Sequence, residues 1–219
     1  MKHFVIAIDG TAASGKGTLA KALAAALDFT YLDTGKLYRY VGYTLVLAGE
    51  DPSDECAAIA AADRLKKNLR PEDLQNPLLD NEEAGQAASE VGAISGVRAA
   101  LLDYQRDFAR RPSPGHKGVI LDGRDIGTVV CPDAPLKLYI DARTEIRAQR
   151  RFKELQSKGI SVTYDAVLAK MQERDQRDAG RETAPMKPAE DAVLLDTSTM
   201  SIDSVLEQAR TIARKRLGI

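Results

Sequence analysis

Nine consecutive residues, Gly10-Thr11-Ala12-Ala13-Ser14-Gly15-Lys16-Gly17-Thr18, combine small residues that let a backbone curl with one lysine near their end. Such a segment suits the binding of a phosphate chain. Its glycines let successive N–H groups face one anion, a helix start adds the positive end of its dipole, and Lys16 adds a full charge for the β and γ phosphates. Loops of this kind usually carry Ser or Thr directly after the lysine. Here Gly17 intervenes and the hydroxyl belongs to Thr18. Direct magnesium ligation by that hydroxyl is therefore not expected, and Mg²⁺ would be held mainly by nucleotide phosphates and water.

A second concentration of charge runs from Arg143 to Arg181, where ten Lys or Arg face six Asp or Glu in a chain whose net charge is −1. Either a solvated helical face or an anion-binding cluster produces such a stretch. On a helix, Arg174, Asp178 and Arg181 would project from one face at spacings of four and three, which favours the cluster. Phosphoryl transfer also calls for several arginines. It relies on positioning and charge stabilisation, and the planar guanidinium suits phosphate oxygens.

The phosphate loop needs a buried strand before it and a helix after it. Phe4 to Ile8 is a short apolar run stopped by Asp9 and Gly10, and Leu19, Leu23, Ala26 and Leu27 then recur at helical spacing. Thr30 to Asp33, Gly118 to Asp122, Leu136 to Asp141 and Ala192 to Asp196 read as further strands. A last helix starts at Ser201, with Ile202, Val205, Leu206, Ala209, Ile212 and Ala213 on one face. The alternation predicts an α/β fold around a parallel sheet. Roughly eighty residues separate the second strand from the third, too many for a simple crossover. An insertion with helices at 35–48, 53–62 and 97–111, joined by a polar stretch near 68–81, is expected there, and another helical insertion at 144–181.

Composition narrows the classes. The 31 basic and 32 acidic residues give no global excess for wrapping nucleic acid or lying on an anionic membrane. Cys56 and Cys131 have neither disulfide-framework nor zinc-site spacing, which fits a reducing cytosol, and no metal ligands are assigned. Met1 to Asp9 enters a strand directly and no apolar run approaches a membrane span, so a soluble cytoplasmic protein is expected. No guanine-reading Asn-Lys-x-Asp element occurs, which disfavours a switch module that cycles without an acceptor. Asp33 reads as a turn former or a functional carboxylate, and Asp122 as a turn cap or a contact to water on Mg²⁺. Arg147, Arg150 and Arg151 read as ATP contacts or as a solvated face. His3 and His116 have no expected base role, Tyr38 and Tyr40 read as packing, and Cys131 as a small buried hydrophobe.

Four motifs, taken together, resemble the nucleoside monophosphate kinases and specifically the bacterial cytidylate kinases. They are the glycine-rich loop, Leu32-Asp33-Thr34-Gly35 through Tyr38-Arg39, Asp122-Gly123-Arg124-Asp125-Ile126-Gly127-Thr128-Val129-Val130, and Arg174-Asp175-Gln176-Arg177-Asp178 through Pro185. The resemblance spans nearly the whole chain. It implies a P-loop kinase fold: a five-stranded parallel sheet flanked by helices, an inserted NMP-binding lobe and a short lid. The single kinase domain would comprise a core of 1–34, 112–143 and 182–219, the NMP-binding insertion 35–111, and a lid with its arginine helix at 144–181.

The resemblance further implies ATP with Mg²⁺ as donor, CMP or dCMP as acceptor, no nucleic-acid or membrane partner, and a monomer. UMP or AMP is the alternative acceptor within the same architecture. Residues 10–18 would hold ATP, with Lys16, Arg124, Arg174 and Arg181 serving transfer. Arg39 and Arg124 would clamp the acceptor phosphate, with Thr34 a further acceptor-side contact. Ser89, Arg98 and Asp125 would read the base, and Arg174, Asp178 and Arg181 would close over phosphates and ribose. In one respect the chain departs from many bacterial members, which carry a longer insertion resembling a small antiparallel sheet. Here 64–85 is short, and a helix-and-loop substitute is expected.

Lys16→Met should leave the fold intact and lower kcat by several orders of magnitude, because the ammonium stabilises the phosphoryl group in flight. Steady-state turnover of a folded variant checks this; near-normal kcat would refute it.

Overall fold

The strands form where the apolar runs stand: β1 (Phe4–Gly10), β2 (Thr30–Asp33), β3 (Gly118–Gly123), β4 (Leu136–Asp141) and β5 (Val193–Asp196). The computed structural model describes residues 3–219, so Met1 and Lys2, which begin the expected core segment 1–34, lie outside the described residues. The strands make a five-stranded parallel sheet of order β2-β3-β1-β4-β5. β1 lies in the middle because both its faces are apolar: Ile6, Ala7 and Ile8 are fully buried. Its register pairs Asp9 with Gly123 of β3 and with Tyr139 of β4, which brings three strand ends to one level.

The chain divides into two compact units, one of residues 1–32 and 112–219 and the other of 33–111. In the first, α1 (Lys16–Leu27) and α8 (Ile202–Leu217) lay Leu19, Leu23, Val205 and Ala209 on the sheet residues Ile6, Ile8, Leu138 and Ile140. Ser201 caps α8 by accepting from the Ser204 N–H, as its sequence position predicts. The stretch between β4 and β5 forms α6 (Thr144–Ser157) and α7 (Tyr164–Ala179), joined through Ala148, Leu155, Val167 and Met171. After β3, residues Ile126–Val130 form one π-helical turn packed on β1 and β3, a feature the sequence reading did not foresee.

The second unit is helical: α2 (Thr34–Ala48), α3 (Glu55–Asn68), α4 (Glu82–Val91) and α5 (Ser95–Arg110). Two of these differ from expectation. α3 continues past Ala62 to Asn68 because Leu65, buried with Ala58, Ala61 and Ala62, extends the apolar stripe beneath a charged outer face. α4 was not expected as a separate helix, since its buried face is built from Ala84, Ala87 and Ala88, which carry little hydrophobic signal. Asn81 caps it, accepting from the Ala84 N–H at 2.6 Å. In the polar stretch the helix-and-loop substitute takes the form of two 3₁₀ turns, Pro71–Gln75 and Pro77–Asp80, each started by its proline. α2 and α4 cross closely at Gly42, where a Cβ would lie 2.7 Å from the backbone of Ala87.

Among the described residues no helix is long and apolar enough to cross a membrane. Gly10 sets the tightest constraint on the sheet: its φ is +151° and a Cβ there would stand 1.9 Å from the Ile140 carbonyl oxygen. Gly10→Ala must displace β4 from β1, so its stability to urea should fall by about 3 kcal/mol or more. An unchanged denaturation midpoint would contradict this geometry.

Candidate active site

In the first unit the phosphate loop leaves β1 at Gly10 and enters α1 at Lys16, with Ala13 at φ +57° and Gly15 at φ +93°. Its carbonyls are tied outward. Ser14 Oγ donates to the Thr11 carbonyl at 2.9 Å, Arg147 to that of Ala12 at 3.2 Å, and Thr197 Oγ1 to that of Ser14 at 2.9 Å. Thr11 Oγ1 donates to Asp141 at 2.7 Å, anchoring the loop to the end of β4. A loop with its carbonyls engaged in this way is suited to meeting an anion with its amides. α1 matches that role, since Gly15 gives no side-chain cap and the first turn carries no acidic residue. The positive end of its dipole suits a phosphate.

Lys16 is half-buried and Thr18 exposed. Thr18, Arg150, Arg151, Thr197 and Met200 line a cavity of about 440 Å³ beside the loop. Of the three arginines left open in sequence, Arg147 is buried and forms a two-pronged pair with Asp175 at 2.6 and 3.1 Å. It is a structural tie between the loop, α6 and α7. Arg150 donates to the Thr197 carbonyl at 2.6 Å, and Arg151 pairs with Glu154. Asp122 is buried in β3 and accepts from the Tyr31 hydroxyl at 2.7 Å. A Cβ on Gly17 would lie 3.7 Å from its other oxygen, so this carboxylate stands beside the loop.

The arginines gather around one carboxylate. Arg124 Nε donates to Asp178 Oδ2 at 2.9 Å while its Nη1 donates to the Gly10 carbonyl at 3.0 Å. Arg181 donates to Asp178 Oδ1, and Arg174 lies 4.0 Å from Oδ2. Arg181 is not on the helix with the other two, as its spacing had suggested. α7 ends at Ala179, and the chain turns through Gly180 so that Arg181 folds back onto Asp178, while the Met186 N–H bonds the Asp178 carbonyl. Burial pushes the Asp178 carboxyl upward, but Arg124, Arg181 and Arg174 outweigh it and hold the group below the usual carboxylate range. Burial likewise opposes charge on Arg124, and Asp178 reverses that, raising its pKa. Asp125, buried, precedes the π-helical turn.

In the second unit Thr34 is buried at the start of α2. Arg39 donates to the carbonyls of Leu79 at 2.8 Å and Asn81 at 3.1 Å, its guanidinium lying against Gly85. Ser89 of α4 and Arg98 of α5 are both buried; Arg98 donates to the Gly92 carbonyl at 3.1 Å and sits 5.3 Å over the Tyr38 ring. Tyr38 is thus a packing residue, as read, and also the surface that carries Arg98. Asp9, Tyr31 and Thr197 belong to no charge cluster or glycine pattern, so residue type and spacing do not mark them as site residues. The Asp-Thr-Ser run after the fifth strand was the available signal for Thr197.

The cytidylate kinase family model matches residues 6–215. The chain is 57% identical to a cytidylate kinase of Paramagnetospirillum magneticum over 94% of its length and 95% of the relative's, and 57% identical to one of Rhodospirillum rubrum over 95% and 96%. Among solved structures, the shikimate kinase of Bacteroides thetaiotaomicron aligns over the whole of both chains with a TM-score of 0.51 at 12% identity, a likeness of fold.

Asp178→Asn should cost about 3–5 kcal/mol at neutral pH, since it leaves guanidiniums packed without their counter-charge. Because the folded pKa of Asp178 lies below the unfolded value, its contribution is present above about pH 4 and lost as the pH falls through the depressed value. The gap in urea midpoint between wild type and variant should therefore narrow below pH 4. A gap independent of pH would refute the assignment.

Proposed function

The chain belongs to the cytidylate kinase family and is an ATP-dependent kinase that phosphorylates CMP, and from that premise we propose how its residues divide the work. The observation that supports the division best is Arg124, bonded at once to the first glycine of the phosphate loop and to Asp178. It sets a permanent positive charge at the edge of the site for the donor.

ATP lays its phosphates along residues 10–18, with Lys16 on the β and γ groups and the amides of the loop on the remaining oxygens. The cavity lined by Thr18, Arg150 and Met200 takes the nucleoside end of the donor. A Mg²⁺ ion would arrive with the phosphates and offset their charge. The chain's donor set fits such a loosely held ion: Thr18 is displaced by one position, and the Asp122 carboxylate beside Gly17 suits a coordinated water. Arg124, Arg174 and Arg181 exchange part of their hold on Asp178 for the transferring group, whose charge spreads over its oxygens in the transition state.

On the acceptor, Arg39 serves the phosphate, held in place by the Leu79 and Asn81 carbonyls, with Thr34 at the start of the same helix a further contact. Arg98, stacked on Tyr38, donates to N3 or O2 of the pyrimidine, and the Ser89 hydroxyl accepts from its N4 amino group. Asp125, in the first unit, is the third base contact we propose, its carboxylate suited to accept from an amino group of cytosine. Cytosine presents a donor there, where uracil presents the O4 acceptor. The same contacts accommodate CMP and dCMP. We read the chain as a cytosolic monomer.

Asp125→Ala should lower kcat/KM for CMP far more than for UMP, shrinking a preference that unpaired or repelled groups, at about 1–3 kcal/mol per contact, make ten- to a hundred-fold. Steady-state kinetics with both acceptors tests it. Equal losses would assign Asp125 to the phosphates or the fold instead of the base.

A further inference from the structure

The last carboxylate before the phosphate loop has a task that neither the loop motif nor the arginine cluster explains. Asp9 is 4% exposed at the end of β1, and each of its oxygens accepts one backbone N–H, Oδ1 from Ile126 and Oδ2 from Gly127, both at 2.7 Å. Those two amides open the π-helical turn directly after Arg124 and Asp125. Arg124 in turn donates to the carbonyl of Gly10, the residue after Asp9. The two bonds and the return contact close a short ring: β1 to the Ile126–Gly127 backbone, back through Asp125 to Arg124, and from its guanidinium to β1 again.

We propose that Asp9 is a positioning residue for phosphoryl transfer, its carboxylate fixing the backbone that carries Arg124 in register with the phosphate loop. This rests on the reading of Arg124 as a phosphate-contacting group. A purely structural role explains the bonds less well, because burial pushes the Asp9 carboxyl up to about 6, against the lowering effect of the Gly127 and Ile126 amides. A folded pKa above the unfolded value means that stability falls as the pH rises from about 4 towards 6. At neutral pH the ionised group is retained at a cost to the fold. The charged and titratable groups around it are Asp125 and Arg124 on the loop, and on β4 Tyr139 and the stem of Lys137, whose ammonium is engaged by Asp191 at 2.8 Å.

Only the ionised carboxylate accepts from both amides; a protonated carboxyl, or the amide of Asn, turns one of its two atoms into a donor. Asp9→Asn should therefore lower kcat by about a hundred-fold, the scale of an ångström-sized misplacement, with KM for ATP changed less than about threefold. Arg124→Lys and the double variant complete the cycle. If Asp9 acts through Arg124, the double variant loses no more kcat than Arg124→Lys alone. Multiplying losses would leave the role of Arg124 intact and overturn that of Asp9, whereas undiminished kcat in Arg124→Lys would overturn both. Should Asp9→Asn not fold, the wild-type enzyme still decides the matter. The amide proton shifts of Ile126 and Gly127 should titrate near pH 6 and kcat should fall with the same midpoint on acidification. A kcat unchanged through that titration would overturn the inference.

Discussion

Positive charge kept close together in the absence of its ligand is the constraint around which the first unit is organised. Guanidiniums suited to polyphosphate repel one another, and burial penalises each further. Asp178, buried and below the usual carboxylate range, supplies the internal counter-ion that lets Arg124 and Arg181 remain close with Arg174 nearby. The arrangement explains how three guanidiniums come to share one small volume. It holds them folded and charged, and its hold is one that phosphate oxygens can match.

In the second unit the same problem has a different solution. Arg39 and Arg98 are held by backbone carbonyls and, for Arg98, by the face of Tyr38. Carbonyl dipoles orient a guanidinium without neutralising it, so each arginine keeps its charge. The helix end and 3₁₀ turn that supply these carbonyls, at Leu79, Asn81 and Gly92, thereby fix two guanidiniums.

Much of the fold was legible because its signals are local. The apolar runs at Phe4, Gly118 and Leu136 end in turn residues, and each became a strand within a residue or two of its expected bounds. α4 was not legible, because an alanine face buries little per residue, and its Asn81 cap and packing on α2 had to be seen in the structure. Within the site, the glycine loop and the arginines announced themselves by type and spacing. What they bond to did not. The return of Arg181 depends on a chain reversal at Gly180, and the two amides bound by Asp9 depend on a π-helical turn far away in sequence. Long-range hydrogen bonds leave no periodicity to read.

The outward ties of the phosphate loop bear finally on how fast and how tightly nucleotide can bind. Asp141 at the end of β4, Arg147 on α6 and Thr197 after β5 all hold residues of the loop between Thr11 and Ser14. A glycine-rich segment would otherwise sample many conformations, and ordering it on association would subtract from affinity. Fixed from three sides, the loop is already ordered. A nucleotide associating there would then lose chiefly its own freedom, and differences in affinity between related donors would lie in how slowly they leave.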